Sequence, residues 1–334
     1  MRGYSRASGN GKVWHQVLDG LEPLVELMEL DPGSHRRRSR PDVWISNGHE
    51  GPLAVQSPVV CGLHEAAWDL PETRASLAPS FLARFERLSA DAAARATRIV
   101  TLSRTSRRQI VDCYGRRPDD VTVVSPGVDH GLFHPGAARP GVPLGPTDVE
   151  PWRPYVLFVS QLHPRKNLPA LRAAVAKLLD DGFVHRLVVV GGPPVDNLGD
   201  DAVRELTSDI AGHPGSVLSL RGLTDVDLAR VVAGAAVFCQ PSLMEGFGLS
   251  VLEAMASGVP VVVSDRGALP EVVAGAGLVV PPDAEHLWQA LATLLGDEAV
   301  ASDLGRRALE RSADFDQGVI GPKWLDVLLA MGAP

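Results

Sequence analysis

Two glutamates eight positions apart, Glu245 and Glu253, flank a Gly-Phe-Gly turn within QPSLMEGFGLSVLEAMASGVPVVVSD, Gln240 to Asp265. The pattern predicts a strand (Ala235 to Cys239), a glycine-rich loop, a short helix (249–257) and another strand (Val259 to Val263). Gly246 and Gly248 can take backbone angles closed to other residues, which lets a ligand approach the main chain. Ser250 falls near the start of the helix, where unpaired N–H groups and the positive dipole end suit an anion such as a diphosphate. Glu245 lies on the loop and Glu253 just over one turn into the helix, so both carboxylates can face one pocket. Carboxylates repel phosphate but accept hydrogen bonds from hydroxyls, so a sugar attached to the phosphates satisfies both parts of such a site. A surface Glu plus a loop Glu would account for the carboxylates but not for the flanking glycines.

A second group follows the strand-like run YVLFVS. There QLHPRKNL places Arg165 and Lys166 at the predicted start of a helix. The helix dipole favours anions at that end, so two cations there require a partner of opposite charge. A diphosphate fits, bound by Arg in forked geometry and by Lys as a point charge.

The contiguous E-G-F-G-L-S-x-L-E-A-M-A-x-G-x-P-V-V from Glu245 resembles the E-x7-E signature of the family-4 (group 1) retaining glycosyltransferases. The likeness extends more loosely from His64 to Val280. It implies the two-domain GT-B fold, a nucleotide-diphospho-sugar donor, and no metal or other cofactor. By this resemblance Glu245 binds hydroxyls of the donor sugar and counts among the catalytic residues, and Glu253 binds the ribose. Gly246, Phe247, Gly248 and Leu249 complete the donor loop. Arg165 and Lys166 match the family's phosphate-binding element, although Gln161 stands where many relatives carry Arg. Gly191 and Gly192 end the run RLVVV and let the backbone approach the nucleotide, while Gly222 and Leu223, after Arg221, resemble the stretch that contacts the nucleobase. His64, after PVVCGL and followed by Glu65, matches the family's catalytic His that acts from the N-terminal domain. The run VVSPGVDHGLFHP resembles a short family motif before the interdomain linker. In it Gly127 permits a tight backbone and Asp129 braces the loop. Glu271 matches a recurrent Pro-Glu and reads as organising the sheet end.

The elements that must position these residues alternate between strand-like and helix-length segments, the pattern of parallel α/β sheets. Strands are predicted at Val43–Ser46, Val59–Gly62, Ile99–Leu102 and Val121–Val124, then at Tyr155–Ser160, Arg186–Gly191, Val217–Leu220 and Leu278–Val280, besides the two named above. Helices are predicted at Leu168–Asp180, Asp225–Ala233 and Glu285–Leu295. A Gly/Pro-rich stretch marks a linker. The expected organisation is an acceptor-side Rossmann-like domain at 1–136, a linker at 137–152, a nucleotide-sugar domain at 153–314 and a C-terminal segment at 315–334. The two parallel-sheet domains would face a cleft. The chain opens with a polar Gly-Ser loop entering a helix, so the first domain is expected to lack the strand that normally precedes that loop. Val319, Ile320, Trp324, Leu325, Val327, Leu328 and Leu329 form a helical stripe with Pro322 in its first turn. The resemblance implies that Trp324 and Leu328 contact residues before Gly136.

Composition bounds the function. The chain has 334 residues, enough for two domains with separate cores, and at 45% hydrophobic and 22% charged it has the balance of a folded enzyme. A net charge of −8 argues against general nucleic-acid binding. Cys61, Cys113 and Cys239 are scattered, without metal-ligand spacing, and read as reduced packing residues of a cytoplasmic protein. Two basic clusters stand out: Arg36, Arg37, Arg38 and Arg40, and the looser set Arg104, Arg107, Arg108, Arg116 and Arg117. They read first as solvated faces, and second as a surface for an anionic acceptor with weak peripheral contact at the inner membrane face. The implied partners are a nucleotide-sugar donor and a glycan, glycolipid or small-molecule acceptor. Two alternatives are a nucleotide-sugar-binding protein of the same fold with impaired catalysis, and a sugar-nucleotide epimerase.

Overall fold

The computed structural model describes residues 9–25, 42–47, 57–64, 71, 74, 78–138, 154–191 and 200–331. The chain divides into two compact units, one formed by Met1–Gly127 with Gln317–Pro334 and the other by Val128–Asp316.

The first unit is built on four parallel strands in the order β1 (Trp44–Asn47), β2 (Val59–Gly62), β3 (Arg98–Thr101) and β4 (Val121–Val123). Alternate side chains of these strands serve opposite faces, as strand geometry requires. Val60 and Val100 join a cluster with Trp14, Val17 and Leu21 of helix α1 (Gly9–Leu21) and with Ile320, Trp324, Val327 and Leu328 of the C-terminal helix (Ile320–Leu329). Cys61, Ile99 and Val121 join the opposite cluster, with Ala93 of α2 (Pro79–Arg95) and Ile110 of α3 (Arg104–Tyr114). The unit is therefore a sheet between two helical layers. Trp14 and Trp324 meet with ring centroids 5.7 Å apart, tilted at 54°. The helices that carry them approach at Gly20 and Gly321, where a Cβ on Gly321 would overlap the Gly20 carbonyl oxygen. The expected contacts of Trp324 and Leu328 with residues before Gly136 are thus made within this unit, to Trp14 and its neighbours.

The second unit holds six parallel strands in the order β10-β9-β8-β5-β6-β7. These are β5 (Tyr155–Val159), β6 (Arg186–Val190), β7 (Val217–Leu220), β8 (Val237–Gln240), β9 (Val261–Ser264) and β10 (Leu278–Val280). YVLF, RLVVV, VFCQ and VVVS are unbroken buried runs because helices cover both faces of a parallel sheet. Helix α4 (Leu168–Asp180) buries Leu168, Leu171, Ala174, Val175 and Leu178, the helical period of one core face. It is followed by α5 (Asp200–Thr207), α6 (Asp225–Ala233), α7 (Leu249–Ala256), α8 (Leu269–Val273), α9 (Ala284–Gly296) and α10 (Glu298–Ser312). Strand β9 starts later than the sequence predicts because Pro260 has no N–H to donate, although its carbonyl accepts from Phe238 N at 3.0 Å. From β5 the chain winds outward through β6 and β7, then returns to lay β8 on the other side of β5. The strand order therefore reverses between β5 and β8, and such crevices at the carboxyl ends are where open α/β sheets place ligands.

Residues Val128–Gly136, expected in the first domain, are tied into the second unit. Val128 N donates to Phe315 O at 3.0 Å, and Asp129 Oδ1 accepts from Gly131 N at 2.8 Å and Leu132 N at 3.2 Å. Most of the expected linker falls outside the described residues. Cys61 and Cys239 are buried as expected, whereas Cys113, in the last turn of α3, is exposed.

The first unit's core makes a direct stability test. Trp324 is 3% exposed, and Trp324→Ala is expected to cost about 3–5 kcal/mol. Gly321→Val is expected to be as damaging, through overlap rather than a cavity. Hydrogen exchange would report both, with protection lost in α1 and β1–β4 and retained in β5–β10. Equal loss in the two units would refute this assignment of the helix.

Candidate active site

Two loops meet at the reversal between β5 and β8. The loop after β5 tightens at His163, whose Nδ1 accepts from Arg165 N at 3.1 Å, into a single 3-10 turn over Pro164–Lys166. Asn167 then adopts a left-handed conformation (φ 56°), which Asn tolerates better than most residues, before α4 begins. This corrects the expectation that Arg165 and Lys166 start the helix. They occupy a separate turn, aimed by His163 and Asn167. Asn167 Nδ2 donates to Pro241 O at 3.2 Å and Pro282 O at 2.6 Å, tying this turn to the loops after β8 and β10.

The loop after β8 runs from Pro241 to Gly248. Leu243 N donates to Arg165 O at 2.8 Å, and Arg165 Nη1 donates to Met244 O at 3.0 Å, lacing the two loops together. Glu245 sits where they join, 8% exposed. Its Oε1 accepts from Lys166 Nζ at 2.5 Å, Ser242 Oγ at 2.9 Å and Gln240 Nε2 at 3.2 Å, while Oε2 lies 3.8 Å from Arg165 Nη1. Burial pushes the Glu245 carboxyl up, but the charges of Lys166 and Arg165 and the hydrogen bonds from Lys166 and Ser242 outweigh it, so its pKa lies below the ordinary range. Its carbonyl accepts from Ala268 N at 2.9 Å. Gly267 (φ 61°) packs so closely there that a Cβ would overlap the Glu245 carbonyl oxygen.

Gly248 (φ 105°) is the N-cap of α7, where a side chain would meet Leu269. Helix geometry leaves the N–H groups of Leu249 and Ser250 without intrahelical partners, whereas Val251 N and Leu252 N donate to Gly248 O. Glu253 lies one turn further on α7 and is 5% exposed, so its carboxylate is not an ordinary surface group. Phe247 is buried edge-on to Phe315, with centroids 5.6 Å apart, which leaves its main chain as the part able to meet a ligand. Gly191 follows β6, packed against the Ser160 carbonyl oxygen, and Gly222 (φ 65°) and Leu223 follow β7, at the same end of the sheet. Gly192 lies outside the described residues, as do Glu65 and the Arg36–Arg40 run.

His64 belongs to the first unit, at the carboxyl end of β2. Its ring stacks on Trp14 (centroids 5.8 Å apart, 26° between planes), and it lines a small pocket with Gln16, Val100, Pro126 and Trp324. Gln16 holds Gly127 by both its polar groups: Nε2 donates to the Gly127 carbonyl at 2.9 Å, and Oε1 accepts from its N–H at 3.2 Å. Part of the second basic cluster is used locally. Arg107 donates to Pro118 O, Arg116 to Ala93 O and Ala96 O, and Arg117 pairs with Asp120. Glu271 offers its carbonyl to Arg311 Nη2 at 3.2 Å. Among the described residues no three His, Cys, Asp or Glu side chains group as metal ligands, and no helix is long and apolar enough to cross a membrane.

The sequence reading assigned the cations to a diphosphate and Glu245 to a sugar, and it missed that Lys166 and Glu245 pair directly across 79 positions. The signal for that pairing lay in the strand order. Both residues follow strands that become neighbours only where the sheet reverses.

Comparison with known proteins bears on both units. A family model described as "Glycosyl transferases group 1" matches residues 153–297, and one described as "Glycosyltransferase Family 4" matches residues 33–132. A D-inositol 3-phosphate glycosyltransferase of Nocardia farcinica is 36% identical over 231 residues, 66% of this chain and 50% of that protein. An MMP alpha-(1->4)-mannosyltransferase of Mycolicibacterium hassiacum is 36% identical over 224 residues, 64% of this chain and 49% of that protein. The chain thus spans about half the length of these relatives. Among solved structures, a sucrose-phosphate synthase from Thermosynechococcus elongatus superposes with a TM-score of 0.68 at 24% identity, covering 83% of this chain and 68% of that one. Anabaena HepE in complex with UDP and glucose gives 0.65 at 20% identity, covering 82% and 72%. These structural likenesses carry the fold, whose two parallel sheets are the α/β architecture expected from the sequence. Matched in both halves, the chain belongs to the group 1, family 4 glycosyltransferases of GT-B fold.

Proposed function

We propose that the protein is a retaining glycosyltransferase that moves a hexose from a nucleotide-diphospho-sugar to an acceptor hydroxyl. The observation that carries this reading is the buried Glu245 carboxylate beside Lys166 and Arg165 at the sheet reversal. Cations and a carboxylate within one site suit a ligand with anionic and hydroxyl parts. In this reading Lys166, Arg165 and the first N–H groups of α7 stabilise the leaving diphosphate without a metal. Glu245 accepts from the sugar hydroxyls, and Glu253 accepts from the ribose. The loops at Gly191–Gly192 and Gly222–Leu223 flank the nucleotide, and His64 acts in turnover. The acceptor is a glycan, a glycolipid or a small polyol, the last favoured by relatives named for an inositol phosphate. A panel of nucleotide sugars tests the proposal by thermal stabilisation, since a ligand of the folded state raises stability by RT ln(1 + [L]/Kd). Stabilisation by none of them would sink it. Stabilisation without transfer to any acceptor would leave the binding-protein alternative.

Glu253→Gln is expected to weaken nucleoside diphosphate binding by about 1–3 kcal/mol, the range for a charge-assisted hydrogen bond, with the thermal midpoint of the free protein little changed. Unchanged affinity would remove Glu253 from the site. His64→Ala is expected to leave that affinity within about twofold while lowering kcat by about 100-fold or more, as for loss of a group acting only in turnover. Parallel loss of both would point to misfolding of the variant instead.

The site's charge also sets a pH dependence. Burial, with Arg165 and Lys166 beside it, pushes His163 down to about 4, so the folded protein holds a neutral imidazole where the unfolded chain takes up a proton. Its contribution is complete above pH 6.5 and lost as pH falls toward 4. Glu245, depressed below 4.5, adds a further loss at still lower pH. Melting curves at pH 7 and pH 5 are expected to show a fall in midpoint that shrinks in His163→Asn, which keeps an acceptor for the Arg165 N–H. An unchanged fall would exclude His163 as its source.

A further inference from the structure

The two oxygens of Glu245 are not equivalent. Oε1 takes three donors, Lys166 Nζ, Ser242 Oγ and Gln240 Nε2, and so has no capacity for a ligand. Oε2 accepts no hydrogen bond among the described residues, and its nearest cationic neighbour, Arg165 Nη1, stands at 3.8 Å. The donors to Oε1 are themselves fixed. Gln240, fully buried at the end of β8, also donates from Nε2 to Ser242 Oγ at 2.7 Å, and the Ser242 carbonyl accepts from Ser264 Oγ of β9 at 2.5 Å. Gln240 carries an unusual cost, because its Oε1 is buried without a hydrogen-bond partner among the described residues. An orphaned buried acceptor is destabilising, so an amide held there needs an explanation. Turning the amide over would relieve nothing, since it would aim the oxygen at the Glu245 carboxylate.

We propose that Gln240 and Ser242 are positioning residues that, with Lys166, saturate Oε1 of Glu245 and fix the carboxylate plane, so that Oε2 alone receives a hydroxyl of the donor sugar. The assignment rests on the nucleotide-sugar reading above and deepens it. The orphaned oxygen of Gln240 is the cost of keeping its N–H groups on Glu245 and Ser242. A carboxylate with one acceptor oxygen available and a fixed plane receives hydroxyls from one defined direction, whereas a freely rotating one would accept from several.

The test uses the full chain, the variants Gln240→Met, Ser242→Ala and Ser242→Thr, and four probes: UDP, UDP-glucose, GDP and GDP-mannose. In Gln240→Met and Ser242→Ala the affinity for the sugar nucleotide that wild type binds is expected to fall about 10-fold, the loss expected when a charged hydrogen bond is misaligned. Affinity for the matching nucleoside diphosphate, which lacks the sugar, stays within about twofold of wild type on the same scale. Ser242→Thr, which keeps the hydroxyl, restores both. A carbon-13 titration of the Glu245 carboxyl is expected to move its midpoint upward in the first two variants and back in the third. Equal losses for sugar nucleotide and diphosphate would overturn the positioning role while leaving the nucleotide-sugar reading intact. An unmoved carboxyl midpoint with unchanged affinities would overturn it as well. Failure of wild type to bind any of the four probes removes the reading and this assignment together.

Discussion

The burial of one negative charge governs the second unit. Removing a carboxylate from water costs several kcal/mol, and only close, well-oriented cations and donors offset that penalty. Glu245 meets the condition with a cation and two neutral donors on one oxygen and a second cation near the other. Lys166, Arg165 and Ser242 come from the two loops that face each other where the strand order reverses, and Gln240 from the end of β8. The same interaction therefore joins the loops and creates the polar floor of the candidate site. A buried pair of this kind is weak evidence for stability, because apolar residues of equal volume often serve as well. Its presence at the crevice where the strand order reverses fits the proposed role of these charges toward a substrate.

The turn before α4 shows how local backbone chemistry serves that arrangement. His163 caps it, Pro164 opens it, and Asn167 takes the left-handed conformation that lets α4 start afresh in a new direction. Arg165 and Lys166 are thereby turned toward the neighbouring loop, out of the first turn of a helix whose dipole would oppose them. Asn167 then spends its side-chain amide on two carbonyls from different loops. Its two hydrogen bonds tie three loops at the carboxyl end of the sheet to one another.

Most of the fold could be read from the sequence, for a physical reason. Strands buried on both faces must be continuously apolar, so YVLFV, RLVVV and VVCG announce themselves, and the spacing of Leu168, Leu171, Val175 and Leu178 can only be a helix with one buried face. The errors fall where backbone chemistry overrides hydrophobic pattern. Pro260 delays β9, and Asn167 separates Arg165 and Lys166 from α4. In the candidate site, residue types and spacing pointed to Glu245, Arg165 and Lys166, which the structure brings together, and to Glu253, which it buries on α7. The pairing of Glu245 with Lys166 was not legible, because it depends on which strands become neighbours, and that is settled by the sheet as a whole. Gln240 and Ser242 escaped notice for a related reason: a neutral side chain beside a signature glutamate carries no signal until its donor atoms are seen to point at the carboxylate.

The first unit takes one of its layers from the far end of the chain, and this has a consequence for synthesis. A ribosome releases Trp14, Val17, Leu21 and Val60 long before Ile320, Trp324 and Leu328, which complete their cluster. The intervening Val128–Asp316 forms a compact unit of its own and can close while one apolar face of the earlier sheet is covered by α1 alone. The order of completion is thus the reverse of the order of translation. During that interval the nascent chain exposes a tryptophan-bearing surface to chaperones and to other nascent copies, and only the last few turns of helix withdraw it.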